Sequence, residues 1–185
     1  MRHTGSRPAG RIRRGLLAIS AAAVMMMGMT ALGDERAPLR VRLATSAGEY
    51  RLGQPIGLEV RLENVSNDVV TVFGSLRWGY AGGLVLHVTD AAGKDVQPKA
   101  LDDDMIPPSV FKRADAFVTL QKRHSLGTTR ADGTADLFPR AGTYTIWVDY
   151  TSPVPASLGR GAHFRSRESG TLHSNKVTVR IKEQR

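Results

Sequence analysis

Pro55-Ile56-Gly57-Leu58-Glu59-Val60-Arg61-Leu62-Glu63-Asn64 alternates apolar and polar residues one for one. Successive side chains of a pleated strand point to opposite faces, so Ile56, Leu58, Val60 and Leu62 form one apolar stripe while Glu59, Arg61 and Glu63 face water. The pattern recurs on both sides. Leu39, Val41 and Leu43 alternate with Arg40, Arg42 and Ala44; Leu84, Leu86 and Val88 face away from Val85, His87 and Thr89; Val177, Val179 and Ile181 alternate with Thr178, Arg180 and Lys182. Val69 to Phe73, Ala116 to Gln121, Thr134 to Phe138 and Thr143 to Tyr150 bring the strand candidates to about eight. Nothing after Asp34 repeats apolar residues at helical spacing for three turns, which argues against a parallel sheet with crossover helices. Strands with one apolar face each must cover one another. The expected fold is therefore all-β, a two-layer antiparallel sandwich of about seven or eight strands.

The amino terminus reads differently. Arg11, Arg13 and Arg14 run into the apolar stretch from Leu16 to Leu32, and Ala31-Leu32-Gly33 puts small residues where a signal peptidase reads. Residues 1–33 are expected to be a signal peptide, and residues 34–185 a single exported domain, periplasmic or extracellular. Arg13-Arg14-Gly15-Leu16-Leu17 resembles a twin-arginine signal, with Ile12 where a Ser or Thr normally flanks the pair. An uncleaved leader is the sole membrane contact expected.

The chain of 185 residues holds 26 Lys and Arg against 17 Asp and Glu. The leader carries five of those bases and no acid, which leaves 21 bases and 17 acids and a charge of about +4 on the exported part. That modest charge, with bases and acids interleaved, argues against nucleic acid as a partner. There is no Cys, which excludes disulfides, a thiolate metal site, a Cys nucleophile and a lipoprotein anchor.

Several short runs resemble the immunoglobulin-like domains of bacterial exported proteins. They are Tyr50-Arg51-Leu52-Gly53-Gln54-Pro55-Ile56 entering a strand, Val88 to Val96 as a hairpin, Gly142-Thr143-Tyr144-Thr145-Ile146 opening the penultimate strand and Ser174-Asn175-Lys176-Val177 opening the last. The resemblance covers roughly Leu39 to Lys182. It implies a sandwich in which Tyr144 caps backbone groups of the preceding turn with its hydroxyl. Leu62-Glu63-Asn64 with Asp90 to Val96 is similar to a small bacterial proteinase-inhibitor family, and Asp115 to Leu120 with Ala141 to Thr145 looks like the propeptide-type domains of secreted metalloproteases. Those families usually have Pro-Gly where this chain has Gln121-Lys122-Arg123-His124.

Catalytic motifs are sparse. The chain has no Gly-x-Ser-x-Gly elbow, His-Glu-x-x-His pair, phosphate loop or calcium-loop spacing. Ser109-Val110-Phe111-Lys112 matches Ser-x-x-Lys without its companion motifs. Asp102-Asp103-Asp104 offers oxygens that a hard cation accepts. His163 and His173, with Glu168 between them, form a candidate zinc or copper set and the basis of an alternative reading as a loop-metal enzyme. The main expectation is a protein without catalytic activity or cofactor.

Binding is then assigned to the rims of the sandwich. Gln97 to Asp115 and Thr151 to His173 are much longer than ordinary connections. The second holds Arg160, His163, Phe164, Arg165, Arg167 and His173, a set suited to carboxylates or phosphates of an envelope protein or polymer. Trp78 and Tyr80, between glycines, are a rival aromatic site for stacking on sugars, as in a carbohydrate-binding module. The sequence thus points to a non-catalytic exported binding or accessory module, with proteinase inhibition, carbohydrate binding and loop-metal catalysis as alternatives.

Overall fold

The structure, a computed structural model, describes residues 37–99, 105–158, 161 and 163–184. The leader, Asp102 to Asp104 and Arg160 lie outside the described residues. Eleven strands run in chain order: β1 Leu39–Thr45, β2 Glu49–Arg51, β3 Pro55–Asn64, β4 Val70–Phe73, β5 Arg77–Trp78, β6 Gly83–Asp90, β7 Phe117–Leu120, β8 Ser125–Gly133, β9 Gly142–Tyr150, β10 Leu172–His173 and β11 Val177–Lys182. Among the described residues one α-helical turn, α1 Thr134–Leu137, and four short 3-10 turns interrupt them. The domain is all-β and sandwich-like. No described helix is long and apolar enough to cross a membrane.

Three sheets result. β1, β3 and β8 form one antiparallel sheet, with Leu43 opposite Val60 and Leu58 opposite Arg130. The larger sheet has the order β2-β11-β9-β6-β5, with β10 also paired to β9. β4 and β7 form a third, two-stranded sheet. The period-two stripes behave as their chemistry requires. Ile56, Leu58, Val60 and Leu62 of β3 are buried together with Leu86 and Val88 of β6, Ile146 and Val148 of β9, and Val179 and Ile181 of β11, in one core between the two larger sheets. The Tyr144 hydroxyl donates to Arg140 O at 2.9 Å, so this tyrosine does cap the turn before β9.

A smaller core lies beneath the two long connections. Phe73 packs edge-on against Phe111 and Phe117, at centroid distances of 5.4 and 5.9 Å, and Phe117 meets Phe164 in the same way at 5.6 Å. Rings from β4, β7 and both loops thus anchor the described parts of those loops to the two-stranded sheet.

Two sequence expectations need correction. Thr134 to Leu137 is a helical turn rather than a strand: buried Thr134 donates its hydroxyl to Arg51 O at 2.9 Å, and Phe138 N reaches back to Thr134 O at 2.8 Å. Its place as a strand is taken by β8, whose Ser125-Leu126-Gly127-Thr128-Thr129 carries one large apolar residue and so gives no apolar stripe to read. Trp78 is not an exposed ring: it is 9% exposed, under the Arg130 guanidinium at 5.7 Å, because β5 runs parallel to β6 and turns the indole into the core.

Candidate functional site

The second long connection folds back as an added strand. Thr71 N donates to His163 O at 3.0 Å and Arg165 N donates to Thr71 O at 2.9 Å, so residues 163–165 pair in parallel with the edge of β4. Further bonds stiffen the loop. Arg167 donates from its backbone to Val154 O at 2.7 Å and from Nη2 to Pro153 O at 2.6 Å. Glu168 Oε2 accepts from Ala156 N at 2.8 Å, and backbone donors of this kind hold its carboxyl below the usual range.

Opposite this segment stands the turn between β3 and β4, built around Asn64. Buried Asn64 donates from Nδ2 to Asp68 O at 2.7 Å and Leu120 O at 2.8 Å, and its Oδ1 accepts from Ser66 N at 2.9 Å and Ser66 Oγ at 2.8 Å. Three of the amide's four bonds go to Ser66 and Asp68 in the turn and hold them in place, and the fourth ties the turn to β7.

Between the loop and the turn lies a cleft of about 500 Å³. Pro38, Val65, Val70 and Phe164 give it C–H surface. Ser66, Asp68, His163, Arg165 and Ser169 give it polar groups. Arg165 is the unusual member. It is 7% exposed, its Nη2 donates to Gly170 O, and its buried Nε has no hydrogen-bond partner among the described residues. Burial lowers its affinity for the proton, and the phenol of Tyr150 opposes that only where it is ionised. That phenol is itself buried without a well-aligned hydrogen bond, and desolvation pushes it up to about 12.

The structure therefore brings three predicted residues, His163, Phe164 and Arg165, to one cleft, and sends Arg167, His173, Trp78 and Tyr80 elsewhere. Arg167 braces the loop. His173 belongs to β10, where its Nδ1 lies 2.7 Å from Asp149 Oδ1. The other Asp149 oxygen sits 3.0 Å from His87 Nε2, too poorly aligned for a hydrogen bond. The alternative in which His163, His173 and Glu168 join around a metal is not met, because His173 and Glu168 are engaged separately and no group of three such ligands converges among the described residues. Tyr80 is 77% exposed on its glycine turn, without Trp78 beside it at the surface. Trp147 faces outward as its strand position predicts, but His87 stacks on it from β6 at 5.0 Å and Lys176 lies over it from the β11 side at 5.0 Å. Its ring is occupied by the protein's own side chains.

Sequence reasoning missed the opposite wall of the cleft. Pro38, Val65, Ser66, Asp68 and Val70 lie about 100 residues from the loop in the chain, and the turn was readable only as a turn. The one local signal was its pair of exposed valines, Val65 and Val69, 37% and 46% exposed.

No family model matches the chain, and no curated protein matches it. Solved structures resemble it at low identity. A β-glucosidase from Listeria innocua in complex with glucose aligns over 77% of this chain at 14% identity and a TM-score of 0.37. The CARDB domain of a Pyrococcus furiosus protein aligns over 78% of this chain and 94% of its own length, at 11% identity and a TM-score of 0.36. A Pseudomonas fluorescens alkylpurine DNA glycosylase, bound to DNA with an abasic-site analog, aligns over 79% at 11% identity and a TM-score of 0.39. The chain spans 16% of the glucosidase and 31% of the glycosylase.

Proposed function

We propose that this chain is an exported, non-catalytic binding module with an immunoglobulin-like scaffold, and that it takes carbohydrate of the cell envelope or extracellular space in the cleft between the second loop and the β3–β4 turn. The leader pattern supports export. The Tyr144 cap and the core shared by the two larger sheets support the scaffold.

The observation that carries the ligand class is the make-up of the cleft. A sugar ring has C–H faces and a rim of hydroxyls. Val65, Val70 and Phe164 suit the first, and Asp68, His163 and Ser169 suit the second. A binding role is also supported by the hydroxyls of the site, which are tied into scaffold bonds rather than to a base: Ser66 Oγ donates to Asn64 Oδ1, and Ser169 Oγ accepts from Ser166 N at 3.1 Å.

The test is a glycan array and titration calorimetry on residues 34–185, beside the variant Val65→Trp, which fills the cleft from an exposed position. Saturable binding of a glycan by the wild type, weakened at least tenfold in the variant, is expected. A wild type that retains no glycan, or a variant that binds as well as the wild type, overturns the reading.

A further inference from the structure

Arg165 sets a condition on what enters the cleft. Arg165 is 7% exposed as a residue, and its guanidinium donates from Nη2 to Gly170 O, yet no described acid pairs with it, as a carboxylate normally would, and its Nε has no acceptor among the described residues. Glu168, the acid nearest in sequence, is held by Ala156 N. Asp68 lines the same cleft but is exposed, and it forms no ion pair with Arg165. The fold thus keeps a desolvated cation beside an open cleft, an arrangement that an incoming anion completes.

We infer that the ligand is an acidic sugar of the uronic-acid class, whose carboxylate is anchored by Arg165 while Asp68 and Ser169 meet its hydroxyls. This rests on the carbohydrate reading above and narrows it. A singly charged carboxylate matches one guanidinium, whereas a phosphate brings a second charge toward Asp68. An acidic peptide fits less well, because it binds through a strand edge, and the β4 edge beside the cleft is already filled by residues 163–165.

Four probes are titrated into residues 34–185: an oligogalacturonate, its neutral galactose counterpart of equal length, inorganic phosphate and a Glu-terminated peptide. The expected result is that the uronate binds at least tenfold more tightly than the neutral glycan, with the preference shrinking as salt rises. Arg165→Met is expected to abolish the preference while leaving Tm unchanged or raised, since it removes an unpaired buried charge. Arg165→Lys keeps the charge but loses the fork geometry, and an intermediate preference is expected. Equal binding of acidic and neutral glycans overturns the acidic-sugar inference and leaves the carbohydrate reading standing. Failure of every glycan removes both. Preferential binding of phosphate or peptide overturns the inference, as does Arg165→Lys with full wild-type preference, or Arg165→Met with a lowered Tm and an unchanged preference.

Discussion

Asn175 stands in for a strand beside Leu43. Its Nδ2 donates to Leu43 O at 3.0 Å and its Oδ1 accepts from Leu43 N at 3.0 Å, the two bonds that a neighbouring backbone would make. β1 belongs to the sheet of β3 and β8, and Asn175 lies just before β11 of the other sheet. One side chain therefore ties the two larger sheets together at their edge and satisfies a strand edge that water would otherwise have to reach.

Replacing Asn175 with Ala removes both bonds at once and leaves a partly buried donor and acceptor on β1. The expected loss is about 2 kcal/mol, or roughly 6 °C in Tm, measured by thermal or urea unfolding followed by circular dichroism. Asn175→Asp retains the acceptor alone and is expected to fall between. An Asn175→Ala chain as stable as the wild type would show that the edge needs no such partner.

Tyr150 carries a pH dependence whose sign is fixed by burial. Its phenol is raised to about 12 in the folded chain, above an ordinary tyrosine. Between that ordinary value and 12 the unfolded chain loses the proton while the folded chain keeps it, so the contribution of this group falls as pH rises through that window. The drop is about 3 kcal/mol across two pH units. Because the hydroxyl is buried without a well-aligned partner, Tyr150→Phe is expected to change stability by less than about 1 kcal/mol at pH 7 and to resist alkali better. Denaturant titrations of both proteins at pH 8, 10 and 11.5 give the comparison. Parallel curves would refute the assignment.

Gly83 begins β6 at φ 97°, and a Cβ there would meet Thr151 O at 2.5 Å. The close approach is part of the sheet, since Thr151 N donates to Gly83 O at 2.9 Å. Gly83→Ala combines left-handed strain with a clash against backbone, at an expected cost of about 2 to 4 kcal/mol. Gly93→Ala is the comparison: it too has positive φ, 78°, but has open space around it, and only the smaller strain cost is expected. Equal losses in the two variants would remove the role given to the backbone contact.

Period two determined the strands whose side chains alternate cleanly, β1, β3, β6, β9 and β11, because burial on one face of a pleat leaves its mark on every second residue. It also put Trp147 on the outward face, while the cap by Tyr144 was implied by the immunoglobulin-like resemblance. β8 was illegible because its inward row is Leu126, Thr128, Arg130 and Asp132, with one apolar residue among four, and the last two pair at 2.7 Å, so the strand is held largely by polar partners and shows no stripe. Trp78 was misplaced because the glycines around it say that the chain turns and not which way the ring goes. The second loop was legible as a long connection rich in Arg and His, but where each of its described residues goes was decided by tertiary structure. Pairing with β4 sent His163 and Arg165 to a cleft whose far wall comes from a distant turn, and left Arg167 and His173 bound to the scaffold. Local sequence carries the pattern of what must be buried; which groups end up together in the cleft depends on contacts between segments far apart in the chain, and no local pattern records those.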